Sequence, residues 1–161
     1  PTGALVAPGE LDARLCISYQ TIENRGTIPE ELRPQLEGWL FGCDICSEVC
    51  PFGHDTPNLA ERFGLHPALE HTDLETLVNF SEEEFAKVFE GSPLRRPGRA
   101  GLARNAALLL GNEPGGEGPD ALLHALANDL SPVVREAAAW SLERAFGEDS
   151  RVRTALDQTA R

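Results

Sequence analysis

Cys43, Cys46 and Cys50 fall within eight residues of one another in "GCDICSEVCPFGHD" (42–55), and Pro51 follows directly. Nothing else in the chain limits its fold as tightly, because three closely spaced thiols must share one small neighbourhood. Cysteines at short regular spacing in a cytosolic protein are more often metal ligands than disulfide partners. A structural zinc ion would take two separated C-x2-C knuckles, or cysteines paired with histidines. Here one C-x2-C leads into an x3 gap and a Cys-Pro step, and His54 stands at a spacing that matches no such zinc pattern.

The Cys-Pro ending instead fits the runs of bacterial ferredoxins, in which the last cysteine serves the other cluster of a pair. Closely spaced thiolates wrap one cluster, and the chain leaves at the proline to reach the second. On that logic Cys43 and Cys46 hold one cluster and Cys50 another, with zinc or free thiols as the alternatives. The fourth cysteine, Cys16, lies far upstream.

The 161 residues suffice for one ordinary domain or two small ones. Aromatic residues make up 6% of the chain, so the core is expected to be Leu, Ala and Val. A net charge of −12 argues against general nucleic-acid binding, since like charge repels phosphate. No apolar run approaches the ~18 residues of a membrane span, and a cytoplasmic protein is expected. The sequence lacks methionine and begins with Pro1, from which a longer parent chain is expected, with these residues as its C-terminal portion.

Ala4–Ala7 reads as a single short strand ended by Pro8-Gly9, and Asp12 as the cap of a helix over about 13–22, stopped by Gly26. Pro29, with Glu30 and Glu31 behind it, predicts a helix to about Leu40. Pro51, Gly53 and Pro57 mark an irregular boundary over 51–58. A short helix is expected over 74–79. Ser81 and Glu84 form a capping box for a helix to about Glu90, ended by Gly91, with Phe80 and Phe85 placed as a hydrophobic staple. "GLARNAALLLG" and "PVVREAAAWSL" superimpose with a shift of 31, which pairs Leu102 with Val133, Arg104 with Arg135, Ala106-Ala107 with Ala137-Ala138 and Leu109 with Trp140. A period near 30 predicts stacked helix pairs, an α-solenoid, against the alternative of four packed helices with accidental similarity. The loop "GNEPGGEGPD" and the helix "ALLHALAND" lie between the copies. Ser131-Pro132 starts the second copy, and a closing helix covers about 149–159.

Between Gly91 and Asn112 no residue is acidic, yet Arg95, Arg96, Arg99 and Arg104 cluster there. Pro93, Pro97 and Gly98 predict a loop that enters a helix near Gly101. The forked donors of arginine suit phosphate, and exposed amides at a helix start favour anions; a solvated surface run is the plainer alternative. His54, His66, His71 and His124 read as surface or loop residues without a chemical role.

"LDARLCISYQTIENRG", "IPEELRPQLEGWLFGCDICSEVCPF" and "GSPLRRPGRAGLARNAALLLGN" together resemble the bacterial epoxyqueuosine reductases, in order and spacing across nearly the whole chain. The resemblance implies a mainly α chain: the remnant of a two-cluster ferredoxin-like domain (1–58), connecting helices (59–91) and a HEAT-like α-solenoid repeat domain (92–161). It implies two 4Fe-4S clusters and cobalamin as cofactors, and reduction of epoxyqueuosine to queuosine at the wobble position of tRNA. In the family a run C-x2-C-x2-C-x3-C-P-T-G precedes the segment seen here, and this chain opens "PTGALVAP". The resemblance therefore assigns Cys16, Cys43 and Cys46 to one cluster with a cysteine just upstream, and Cys50 to the other. It places Ser18, Asp44 and Ile45 against cobalamin, and Arg25, Arg95, Arg96, Arg99, Arg104 and Asn105 against the tRNA anticodon region, although Asn105 could equally bond backbone within the repeat. The implied partners are that tRNA and an N-terminal cobalamin domain of the same chain, in a monomer when complete. The family's proton donor lies in that other domain, so no residue here is expected to be catalytic, and the segment alone is expected to be inactive. A free-standing electron-transfer module and a helical-repeat interaction protein with a structural metal are the competing readings.

Overall fold

A computed structural model describes residues 1–52, 72–113 and 119–159. The chain opens with a small antiparallel hairpin, β1 (Leu5–Ala7) against β2 (Glu10–Leu11). Gly9 takes the left-handed turn conformation, φ 77°. The single expected strand is thus β1, and its partner was too short to show a pattern.

Asp12 caps as its sequence predicts, accepting from Arg14 N at 2.9 Å, but what it caps is a 3-10 turn over Ala13–Leu15. The backbone then extends at Cys16 (ψ 122°) before the chain coils again into a π-helix over Tyr19–Glu23. The continuous helix expected over 13–22 is therefore broken at the cysteine. Thr21 supplies one reason for the widened turn: its Oγ1 donates back to Ile17 O at 2.8 Å, a bond that bends helices. The helix expected from Pro29 to Leu40 is absent. Turns and a 3-10 segment over Arg33–Leu36 take its place. Pro34 has no N–H to give and disfavours helical backbone at Arg33.

Beyond the cysteines the fold follows the sequence closely. One turn of helix, α1 (Ile45–Glu48), carries Cys46. Next come α2 (Leu74–Val78) and α3 (Glu82–Val88). The capping box of α3 is complete: Ser81 Oγ accepts from Glu84 N at 3.2 Å, and Glu84 accepts from Ser81 N at 2.9 Å. Phe80 and Phe85 both pack on Phe89, with ring centroids 6.2 and 5.4 Å apart. Then follow α4 (Gly98–Asn112), α5 (Pro119–Asn128), α6 (Pro132–Phe146) and α7 (Ser150–Thr159). Most of the irregular boundary, from 53 on, and His54, His66 and His71 lie outside the described residues, as does the loop at 114–118.

Helices α4 and α6 pack along each other through the alanines that the repeat aligns. Ala103, Ala106, Ala107, Ala137 and Ala138 are fully buried. The contact is close at Gly111, where an added Cβ would sit 2.6 Å from Ser141 Cβ, and Ser141 Oγ donates to Ala107 O at 2.8 Å. A single core cluster runs from Ile17 to Val152, so the cysteine-bearing segment packs on the helices directly. Arg33 helps join them. It is buried, donates to Ile28 O and Glu136, and lies over Trp140, whose ring also meets Arg144.

Candidate metal centre

Three segments bring the cysteines together. Cys16 sits at the extended break before the π-helix, Cys43 follows Gly42 (φ 78°), and Cys46 rides on α1. Their three residues line one cavity of about 370 Å³, together with Ser18, Ile45 and the hairpin. Cys50, just past α1, is not among its walls. All four cysteines are free of disulfides. Among the described residues no three His, Cys, Asp or Glu side chains converge as they would on a single ion. The three cysteines are spread around a space instead.

Two long-range tethers hold the walls. Thr21 Oγ1 accepts from Gly42 N at 3.0 Å, and Ser18 Oγ donates to Cys43 O at 3.3 Å. Behind them, α4 inserts a buried pair. Arg104 donates to Gln20 O (2.7 Å), Asn24 O (2.9 Å) and Gly26 O (2.5 Å), and to the side chain of Asn105. Asn105 Nδ2 donates to Thr21 O at 2.8 Å and Leu40 O at 3.0 Å. Burial, with the nearby charge of Arg25, pushes the Arg104 pKa down to about 10, so it remains a cation at neutral pH.

Of the residues matched to cobalamin contacts, Ser18 and Ile45 line the cavity. Asp44 is exposed at the start of α1. The six residues matched to tRNA divide in two. Arg25, Arg95 and Arg96 are exposed: Arg25 donates to Arg96 O, and Arg96 pairs with Glu23 at 2.6 Å. Arg99, Arg104 and Asn105 are turned inward. Arg99 grips Asp129 through two bonds of 2.5 and 2.9 Å, with Glu82 at 3.5 Å. Burial alone would raise the Asp129 pKa, but the Arg99 bonds, the Ser131 N–H and two arginine charges hold it below the usual carboxylate range. Arg104 and Asn105 spend their donors on the chain's own backbone, so the surface they were expected to form is smaller than the charge run implies. His124 bonds Asn79 at 2.9 Å, away from the cysteines. Sequence reasoning missed Thr21 and Gly42, whose only signal was their place five residues after Cys16 and one before Cys43.

Residues 1–53 match the model of a 4Fe-4S double cluster binding domain. The chain is 43% identical over 148 residues to the epoxyqueuosine reductase of Shewanella oneidensis, covering 88% of this chain and 37% of that protein. It is 43% identical over 145 residues to that of Escherichia coli K12, covering 88% and 38%. Against a solved epoxyqueuosine reductase from Bacillus subtilis the TM-score is 0.81 at 32% identity, covering 99% of this chain and 42% of that one. Against an epoxyqueuosine reductase solved with an epoxyqueuosine-modified tRNA-Tyr stem loop it is 0.75 at 30% identity, covering 99% and 46%. The chain thus spans about two fifths of the length of the curated relatives it matches.

Proposed function

The chain belongs to the epoxyqueuosine reductase family, and we propose that it is the part of such an oxidoreductase that carries electrons and holds tRNA. The arrangement that carries this reading is the ring of Cys16, Cys43 and Cys46 around one cavity, with Cys50 outside it. A polynuclear cluster takes its thiolates from around its own body, so three walls of one cavity suit it better than ligands meeting at a point. Cys16, Cys43 and Cys46 would hold one 4Fe-4S cluster, its fourth ligand coming from outside these residues, and Cys50 would belong to a second. Cobalamin would lie against Ser18, Asp44 and Ile45. When bound, the clusters supply single electrons and cobalamin a reducible metal for opening the epoxide of epoxyqueuosine to give queuosine.

The chain's own residues do the holding. Ile17, Ile45 and the hairpin leucines give the cavity a largely apolar wall, with Leu5, Leu11 and Cys46 exposed at its rim. Arg25, Arg95 and Arg96 stand on the surface where phosphate can reach them, and a tRNA stem loop accompanies one relative of the same fold. Arg99, Arg104 and Asn105 serve this function by fixing the scaffold. The reading keeps a cluster unit over 1–58, connecting helices over 59–91 and HEAT-like repeats over 92–161, in a cytoplasmic, monomeric enzyme whose cobalamin domain is another part of the same protein.

The test is anaerobic reconstitution of the full-length protein with iron and sulfide, followed by metal analysis and electron paramagnetic resonance (EPR). Two cluster signals are expected, with Cys16→Ser altering one and Cys50→Ser the other. Zinc without iron or sulfide would defeat the reading in favour of a helical-repeat protein with a structural metal. Clusters without any reduction of epoxyqueuosine in tRNA would favour a plain electron-transfer module.

A further inference from the structure

We propose that Asn105 and Thr21 are positioning residues that set the separation of the Cys16 and Cys43 thiols. The inference rests on the reading that those two cysteines serve one cluster. They are 27 positions apart in sequence, on two arms that share no helix and no sheet. Something must fix the distance between the arms, because a rigid cluster accepts thiolates only at set places.

Asn105 is fully buried, and its one amide nitrogen reaches both arms. It donates to Thr21 O, in the π-helix that follows Cys16, and to Leu40 O, three residues before Cys43. Its oxygen faces Arg104, which donates to it from Nε at 3.1 Å and Nη2 at 2.8 Å. That contact decides the amide's orientation. A flipped amide would set its oxygen against two carbonyls and its N–H groups against a guanidinium. Thr21 closes the frame on the side nearer the cysteines: its hydroxyl donates to Ile17 O and accepts from Gly42 N. Gly42 holds φ 78°, so the turn into Cys43 is tied at a position that a side chain would strain. The π-helix fits this role. Its wide turn presents the Gln20 and Thr21 carbonyls to α4, which supplies donors from outside the segment. Losing a group bonded directly to a metal ligand typically costs about 10–100-fold in metal affinity. Asn105 and Thr21 act one step further out, on the backbone that carries Cys16 and Cys43, so the low end of that range applies.

The experiment compares the full-length protein with its Asn105→Asp and Thr21→Val variants after anaerobic reconstitution. Asn105→Asp keeps the shape and sets a carboxylate against both carbonyls. Thr21→Val keeps the branched shape and removes the hydroxyl bonds, the one given to Ile17 O and the tether accepted from Gly42 N. The readouts are iron release to a chelator, EPR of each reduced cluster, and the thermal unfolding midpoint. Each variant is expected to release iron from the Cys16–Cys43 cluster about tenfold faster, and to alter that cluster's EPR signal while leaving the other's unchanged. Wild-type release and spectra in both variants would overturn the proposal. So would equal loss of both clusters in step with unfolding, which marks a role in folding alone. Should Asn105→Asp fail to fold, Thr21→Val decides the question by itself. A wild-type protein that takes up neither iron nor sulfide would instead overturn the cluster reading, and this proposal with it.

Discussion

Replacing Arg104 with Met is the sharpest test of how α4 holds the cysteine-bearing segment. The side chain is fully buried, and methionine fills much of its volume, so the effect isolates its donors. Three backbone carbonyls, Gln20 O, Asn24 O and Gly26 O, lose their Arg104 bonds, and the Asn105 oxygen loses both of its guanidinium donors. Gln20 O and the Asn105 oxygen are left buried and unsatisfied, at about 1–3 kcal/mol each. Asn24 O and Gly26 O lose their bonds nearer solvent at smaller cost, and relief of burying a cation offsets part of the total. A net loss of about 4 kcal/mol is expected, a large share of the ~5–15 kcal/mol that holds a domain together. With a urea dependence of about 2 kcal/mol per molar, the unfolding midpoint should fall by about 2 M. Arg95→Met is the control: Arg95 is exposed in the same basic stretch, and its replacement should change stability by less than about 0.5 kcal/mol. Equilibrium unfolding followed by circular dichroism measures both. If Arg104→Met shifts the midpoint no more than Arg95→Met, the buried network does not hold the segment.

Asp129→Asn should destabilise the protein by about 3 kcal/mol at neutral pH, because the buried Arg99 keeps as its charged partner only the long 3.5 Å contact to exposed Glu82. The folded pKa of Asp129 lies below its usual value. Its contribution is therefore complete above the unfolded carboxylate range and is lost as pH falls through the folded value, so wild type and variant should converge in acid. Parallel stability curves down to pH 2 would remove that assignment. Gly111→Ala should cost about 2 kcal/mol by forcing α4 from α6, since the new Cβ would meet Ser141 Cα at 2.7 Å; an unchanged melting temperature would refute the close approach. Arg25→Glu combined with Arg95→Glu in the full-length protein should weaken binding of a tRNA stem loop and lower its salt dependence by about 0.7 per phosphate contact. An unchanged salt dependence would take both residues out of the interface.

The helical half of the fold was legible because its signals are local. Ser81 and Glu84 close their capping box within one turn, and Pro132 opens α6 with Ser131 extended at the N-cap but making no side-chain cap bond; the aligned alanine pairs are buried between α4 and α6. The cysteine-bearing half was misread for the opposite reason. Asp12 and Pro29 are sound helix starts, but the segments behind them answer to distant partners. The first gives its carbonyls to Arg104 and Asn105, more than 80 positions away, and opens into a π-helix. The second meets Pro34 five residues in, a breaker visible in the sequence, and then bends so that Arg33 can reach Glu136 and Trp140. Propensity yields where such long-range bonds decide the backbone.

The arginines show how much of a basic run in sequence can be spent inside the fold. The stretch from Gly91 to Asn112 looks basic because it lacks acids, yet the acids that answer it come from elsewhere. Asp129 and Glu82 take Arg99, Glu23 takes Arg96, and backbone carbonyls take Arg104. A buried guanidinium with its donors spent cannot release counterions from a phosphate, however close it lies in sequence to one that can. Among the arginines first assigned to RNA, Arg25 and Arg95 keep the most freedom. Arg25 lies at the end of the segment that starts at Cys16 and touches the Arg95–Arg96 turn through the Arg96 carbonyl. The turn that presents positive charge is thereby tied to the arm that carries Cys16. An RNA held there would be registered against the cavity by the same α4 donors that hold Cys16 and Cys43 in place.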